Sequence, residues 1–229
     1  MQTIAERLKI TYERIDQATA QANRPSNSVQ LLAVSKTKPV SDIRLAYEAG
    51  QRLFGENYIQ EGVEKVQALA DLHDIQWHMV GPVQSNKTKL VAEHFDWVQS
   101  VDRAKIARRL NDQRPAALPP LNICIQLNID NEDTKAGVTP AQLPALIEEI
   151  GQYPQLKLRG LMAIPRAQVG VDEQQRSLTR LADLFAQYHT KLSDFDTLSV
   201  GMSDDLEAAI GHGSTMVRIG TAIFGERNQ

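Results

Sequence analysis

Eight short apolar runs, each separated from the next by a stretch of helical periodicity, limit what this sequence can become. They fall at 29–35, 52–55, 75–79, 95–99, 122–127, 156–161, 198–200 and 216–219. Strict alternation of strand and helix predicts a parallel sheet covered by helices. Eight such units in 229 residues predict a closed (β/α)8 barrel, an α/β fold of the TIM type. A doubly wound open sheet competes with it, but usually has fewer strands, and no Gly-rich dinucleotide fingerprint follows the first run. No linker, repeat or low-complexity segment divides the chain, so residues 1–229 read as a single domain.

The segments between the runs carry ordinary helix signals. Residues 2–23 place Ile4, Leu8, Thr11, Ile15, Ala18 and Ala22 on one face, as expected of a helix covering one end of a barrel. Pro39 and Ser41-Asp42 open the next helix, and Gly50 closes it. Further helices are expected up to Leu72, over 84–93, through the basic Arg103, Lys105, Arg108 and Arg109, over 140–150, over 172–191, and from Ser203 to Ile210. The Lys105, Arg108, Arg109 stripe reads as a solvated helix face.

Composition narrows the function classes. A net charge of −3 argues against a nucleic-acid binder driven by general electrostatics. The lone Cys124, inside Ile123-Cys124-Ile125, excludes an intrachain disulfide and reads as an inert buried thiol. No apolar run approaches a membrane span, and Glu6, Glu13 and Asp16 make the N-terminus unlike a signal or transit peptide. No membrane association is expected, and the cytoplasm is the default compartment. His78 reads as a packed or capping histidine. No second histidine or cysteine stands at ligand spacing, so no metal site is expected.

The chemistry begins at Leu31-Leu32-Ala33-Val34-Ser35-Lys36-Thr37-Lys38-Pro39, an apolar strand ending on a lysine. Taken alone, Lys36 is either solvated in the following loop or held reactive at the barrel mouth. Closure bears on the choice, because it makes the first and last strands neighbours about 4.8 Å apart. The ends of strands one, two, seven and eight then meet, bringing together Lys36, Glu56-Asn57, Met202-Ser203-Asp204-Asp205 and Arg218-Ile219-Gly220-Thr221. Loops after strands seven and eight of this fold often bind phosphate. Ser203 is expected to cap the helix that follows it, and Gly220 lets a ligand approach the backbone beside the Thr221 hydroxyl. Asp204 and Asp205 oppose an anion there unless turned away. A lysine facing a phosphate site, with an arginine beside it, suggests a phosphorylated carbonyl compound held as a Schiff base.

Four ordered motifs carry a family resemblance: Ala33-Val34-Ser35-Lys36-Thr37-Lys38, Phe54-Gly55-Glu56-Asn57-Tyr58, Gly201-Met202-Ser203-Asp204-Asp205 and Val217-Arg218-Ile219-Gly220-Thr221-Ala222-Ile223-Phe224-Gly225. Over nearly its whole length the chain resembles the YggS/PROSC-like pyridoxal phosphate homeostasis proteins. Their barrel is similar to the N-terminal domain of bacterial alanine racemase. The resemblance implies that Lys36 bonds pyridoxal 5'-phosphate covalently and that Ser203, Gly220 and Thr221 hold the phosphate. It further implies that Arg218 faces the pyridine nitrogen and that Asn57 lines the pocket near the ring. It implies a cofactor-holding protein without catalytic residues, whose partners are pyridoxal phosphate and, transiently, the enzymes that use it. A monomer is expected. One departure stands in His78-Met79-Val80-Gly81-Pro82-Val83-Gln84, where Pro82 occupies a position expected to be non-proline.

Two enzyme readings compete. A pyridoxal-phosphate-dependent amino-acid racemase would need a base on each face of its substrate, whereas Lys36 serves one face. In the racemases that the barrel resembles, the opposing tyrosine comes from a C-terminal β-domain, which is not expected in a chain ending at Gln229. A Schiff-base aldolase would use Lys36 without a cofactor.

Overall fold

The computed structural model describes residues 2–132, 136–166 and 170–226. Its strands are β1 (Gln30–Val34), β2 (Leu53–Glu56), β3 (Gln76–Met79), β4 (Trp97–Val101), β5 (Leu121–Leu127), β6 (Leu156–Ala163), β7 (Thr197–Ser199) and β8 (Met216–Ile219). Its helices are α1 (Ile4–Gln21), α2 (Val40–Glu48), α3 (Ile59–Ala68), α4 (Thr88–His94), α5 (Ala104–Gln113), α6 (Leu143–Ile150), α7 (Val171–His189), α8 (Leu206–Gly211) and α9 (Thr221–Phe224). Every strand pairs in parallel with its sequence neighbours, and β8 pairs with β1 to close the barrel. This is the expected (β/α)8 barrel.

Two layers of packing follow from the alternation of side chains along each strand. Residues such as Leu31, Ala33, Phe54, Val217 and Ile219 face outward and join the helices in the main core. The alternate set faces the lumen, where Trp97, Cys124 and Met162 form a separate small apolar cluster. Beside and above it the lumen is polar: His78, Gln99, Ser199 and Arg218 are all buried. A barrel centre is more often filled by branched aliphatic residues.

Helix α1 does not cover an end of the barrel. It packs along the wall against α2, α8 and α9. Helix α9, after β8, has only four residues, too few to cover the β8–β1 seam. The apolar face of α1, with Ile4, Leu8, Ile15 and Ala18 buried, fills that gap instead. Its N-terminus is fixed by a reciprocal cap between Thr3 and Glu6. Arg7 Nε donates to Ile223 O at one end of the wall, and Arg24 Nη1 donates to Ile210 O and Ser214 O at the other.

Smaller differences have local causes. The fourth strand starts at Trp97, because Phe95 is the buried C-cap residue of α4 and the Asp96 carboxylate accepts the Trp77 backbone N–H. The helix expected over 84–93 opens as a 3-10 turn at Ser85–Lys87. The one expected at 140 begins at Leu143, with Pro144 in its first turn, where a missing N–H costs nothing. Only part of the basic stripe on α5 is solvated: Arg108 pairs with Glu149 on the surface, while Arg109 Nε donates to Thr88 Oγ and ties α5 to α4. Burial pushes the Cys124 thiol up to about 12, in keeping with an inert thiol. Among the described residues no helix is long and apolar enough to cross a membrane, and no group of three or more His, Cys, Asp or Glu gathers to hold a metal.

Candidate functional site

The closure seam assembles the site. Strand β1 pairs Leu32 with Arg218 and Ala33 with Ile219 on one side, and Val34 with Gly55 on the other. Continuing these parallel registers sets Lys36 level with Asn57, and Val34 level with Gly220. The Arg218 N–H donates to Gly201 O, which places the end of β7 and Ser203 beyond it at the same rim. The sequence-predicted residues Lys36, Asn57, Ser203, Arg218, Gly220 and Thr221 therefore lie at the C-terminal ends of four strands adjacent in the barrel. Lys36, Asn57, Ser203 and Gly220 are half-buried, Thr221 is exposed, and Arg218 is buried.

Two glycines fix the spacing. A Cβ on Gly220 would stand 3.0 Å from Val34 O, so a side chain there would press on β1 just before the lysine. A Cβ on Gly81 would lie 2.0 Å from Asn57 O, so the loop after β3 seats Asn57 through bare backbone contact. Ser100 Oγ donates to Gly81 O and holds that contact. Pro82 is exposed, so its ring sits in solvent while Val83 packs inward, and the Gly81 contact does not depend on it.

The polar groups at the rim are left available. Among the described residues, the side chains of Lys36, Asn57, Ser203 and Thr221 make no hydrogen bond to protein. Arg218 donates through Nη1 to the Ser199 carbonyl and hydroxyl, and through Nη2 to Ala163 O, but its Nε finds no acceptor among the described residues. No carboxylate lies within ion-pair distance of it among the described residues. Burial lowers its pKa to about 10, opposed by the nearby Asp205 charge, so it remains a cation at neutral pH.

The loop after β7 differs from the expectation for Ser203. Helix α8 begins at Leu206 with Asp205 at its N-cap position, so Ser203 does not cap it. Asp205 Oδ1 instead accepts the Met202 N–H at 2.6 Å, which occupies that carboxylate inside its own loop. The Ser203 hydroxyl is thereby left without a structural task at the helix end.

An ion cluster under Lys36 was not legible in the sequence. Buried Lys65 donates to Ser35 O at 2.7 Å, to Glu56 Oε1 and Oε2 at 2.9 and 3.1 Å, and to Glu61 Oε1 at 2.7 Å. Ser35 Oγ also donates to Glu56 Oε1, and the Thr37 backbone N–H donates to Glu61 Oε1. The residues on both sides of Lys36 are thus clamped to one network. The clamp supports an unfavourable turn, because Thr37 has φ 63°, a left-handed conformation that β-branched residues avoid. Burial raises the Glu56 carboxyl above its ordinary range, against the opposing pull of Lys65 and Ser35. The only sequence hint was the four-residue spacing of Glu61 and Lys65, which reads as a surface pair.

Comparison with known proteins gives a consistent picture. The sequence profile of the family described as alanine racemase, N-terminal domain, matches residues 10–228. A protein of Pasteurella multocida named pyridoxal phosphate homeostasis protein is 55% identical over 229 residues, covering 99% of this chain and 98% of its own. The protein of the same name from Escherichia coli K12 is 52% identical over 230 residues, covering 100% and 98%. The structure of PipY from Synechococcus elongatus with pyridoxal phosphate bound is 38% identical, with a TM-score of 0.81, covering 97% of this chain and 100% of that one.

Removing the buried cation from the clamp should be costly. Lys65→Met is expected to destabilise the fold by about 3–5 kcal/mol, the usual result of leaving one member of a buried pair uncompensated. Lys65→Met combined with Glu56→Leu should recover a large part of that loss in denaturant unfolding. A double variant no more stable than the single one would show that the pair is not the source of the effect.

Proposed function

The chain belongs to the family of pyridoxal phosphate homeostasis proteins, and on that premise we propose that it binds pyridoxal 5'-phosphate, holds it as a Schiff base on Lys36 and passes it on without turnover. The observation that carries this reading is the convergence, across the β8–β1 seam, of a lysine, a buried arginine and unengaged rim donors.

The residues fit such a group. Lys36 offers an amine with no internal hydrogen bond among the described residues, on a backbone held from both sides by the Lys65 cluster. The Ser203 and Thr221 hydroxyls and the close-approach backbone at Gly220 suit a phosphate, while Asp205 is engaged by Met202. Asn57, seated by Gly81, borders the amine. Arg218 can only donate, so a pyridine nitrogen facing it stays unprotonated.

That last point separates holding from turnover. Pyridoxal phosphate supplies an electron sink for carbanion chemistry, and an unprotonated ring is a weaker sink than one paired with a carboxylate. Lys36 can serve as base on one face only. Tyr58, the nearest tyrosine in sequence to the site, stands at the start of α3 and is 52% exposed, which is poor shielding for a second base.

The phosphate contacts generate the first test. Thr221→Val and Ser203→Ala are expected to weaken retention of pyridoxal phosphate without changing the absorbance of what stays bound, each hydrogen bond to the charged group being worth about 1.5–3 kcal/mol. Equal affinity of wild type and the double variant would remove the phosphate from these loops. The second test concerns turnover. Incubated with L-alanine in deuterated water, the loaded protein should show no racemisation near the roughly one per second typical of enzymes. Inversion at that rate would replace the holding function with a racemase.

A further inference from the structure

Beneath the rim, four buried polar side chains run through the barrel lumen: Arg218, Ser199, Gln99 and His78. Arg218 Nη1 donates to Ser199 Oγ at 2.8 Å, Ser199 Oγ donates to Gln99 Oε1 at 2.6 Å, and Gln99 Nε2 lies 2.9 Å from His78 Nδ1. The direction of every link follows from the first. A guanidinium only donates, so the Ser199 oxygen must accept from it and aim its proton at Gln99. The amide then presents its oxygen to the serine and its NH2 to the histidine. His78 accepts at Nδ1, carries its proton on Nε2, and that buried Nε2 has no hydrogen-bond partner among the described residues.

The surroundings keep the chain one-way. His78 stacks on Trp97 with ring centroids 4.9 Å apart, and the Arg159 guanidinium lies over the same Trp97 ring at 4.7 Å. Burial and the Arg159 charge lower His78 to about 3, so it does not become a donor at Nδ1 near neutral pH. The other groups acting on this column are the Cys124 thiol and the Asp205 carboxylate, both felt by Arg218. An unpartnered buried N–H at His78 is a cost that an aliphatic lumen would avoid. What the chain secures is the guanidinium: Nη1 is anchored twice on Ser199 and Nη2 on Ala163, leaving Nε unengaged.

We propose that Ser199, Gln99 and His78 are positioning residues for the ligand ring, forming a one-way hydrogen-bond chain that fixes the Arg218 guanidinium so that it donates to the ring nitrogen. The proposal rests on the reading of the rim as a pyridoxal phosphate site. None of the three needs to touch the ligand. Their action is to remove the rotational freedom of Arg218 and to leave it no carboxylate acceptor that would compete with the ring.

The experiment uses the full chain and pyridoxal phosphate carrying an isotopically labelled ring nitrogen, followed by nitrogen NMR. In wild type the ring nitrogen should appear unprotonated and hydrogen-bonded, and the His78 ring should show its proton on Nε2. In Ser199→Ala and Gln99→Met the ring-nitrogen signal should move toward that of a free unprotonated pyridine, with the Lys36 adduct still formed. Release of the ligand should accelerate by about tenfold, the equivalent of one weakened charged hydrogen bond of about 1.5 kcal/mol. A wild-type His78 protonated on Nδ1 overturns the direction of the chain, and needs neither ligand nor variant. A folded Ser199→Ala protein with an unchanged ring-nitrogen signal and release rate overturns the positioning role. Absence of any adduct in wild type would instead strike the cofactor reading itself, so the two failures are distinguishable.

Discussion

The parallel pairing of β8 with β1 is the contact on which the rest of the site depends. It sets Leu32 beside Arg218 and Ala33 beside Ile219, and so brings the first and last strands of the barrel to one rim. Without it, Lys36 and Arg218 would not stand at one rim. Helix α1 underwrites this pairing, since the four-residue α9 cannot cover the seam. Arg7 of α1 donates to Ile223 O, and Arg24, just after α1, donates to Ser214 O.

Two buried polar systems meet at that rim, and they differ in sign and purpose. The Lys65 cluster balances one ammonium against Glu56 and Glu61, and its hydrogen bonds end on the backbone on either side of Lys36. The lumen column holds the Arg218 guanidinium by carbonyls and a hydroxyl instead, with no carboxylate to neutralise it among the described residues. The first system resolves its charge internally and shapes the loop. The second keeps a cation directed at the rim. The proposed holding of pyridoxal phosphate without turnover has use for both arrangements.

The barrel was legible because its signal is periodic and redundant: eight apolar runs with helices between them admit few topologies. The places of Lys36, Asn57, Arg218, Gly220 and Thr221 at the rim were legible once closure was assumed, because strand ends in a closed barrel are placed by counting. Ser203 was located correctly at the rim but given a capping task that Asp205 and Met202 make unnecessary, since loop hydrogen bonds are decided by geometry a few residues wide. The Lys65 cluster was hidden because Glu61 and Lys65 have the spacing of a solvated pair, and only packing against β2 buries Lys65 beside Glu56. The lumen column was hidden more deeply. Its members are single polar residues on β3, β4, β7 and β8, and nothing in one strand announces its partners in another. His78 was expected to be packed or capping, and it is packed, with the added part of ending a hydrogen-bond chain.

The most direct measurement of the central claim is borohydride reduction of the protein loaded with pyridoxal phosphate, followed by mass analysis of its peptides. The account predicts one stable pyridoxyl phosphate modification per chain, on Lys36. Wild-type protein that is modified mainly at another lysine, or that takes up the ligand with no reducible bond, would contradict it.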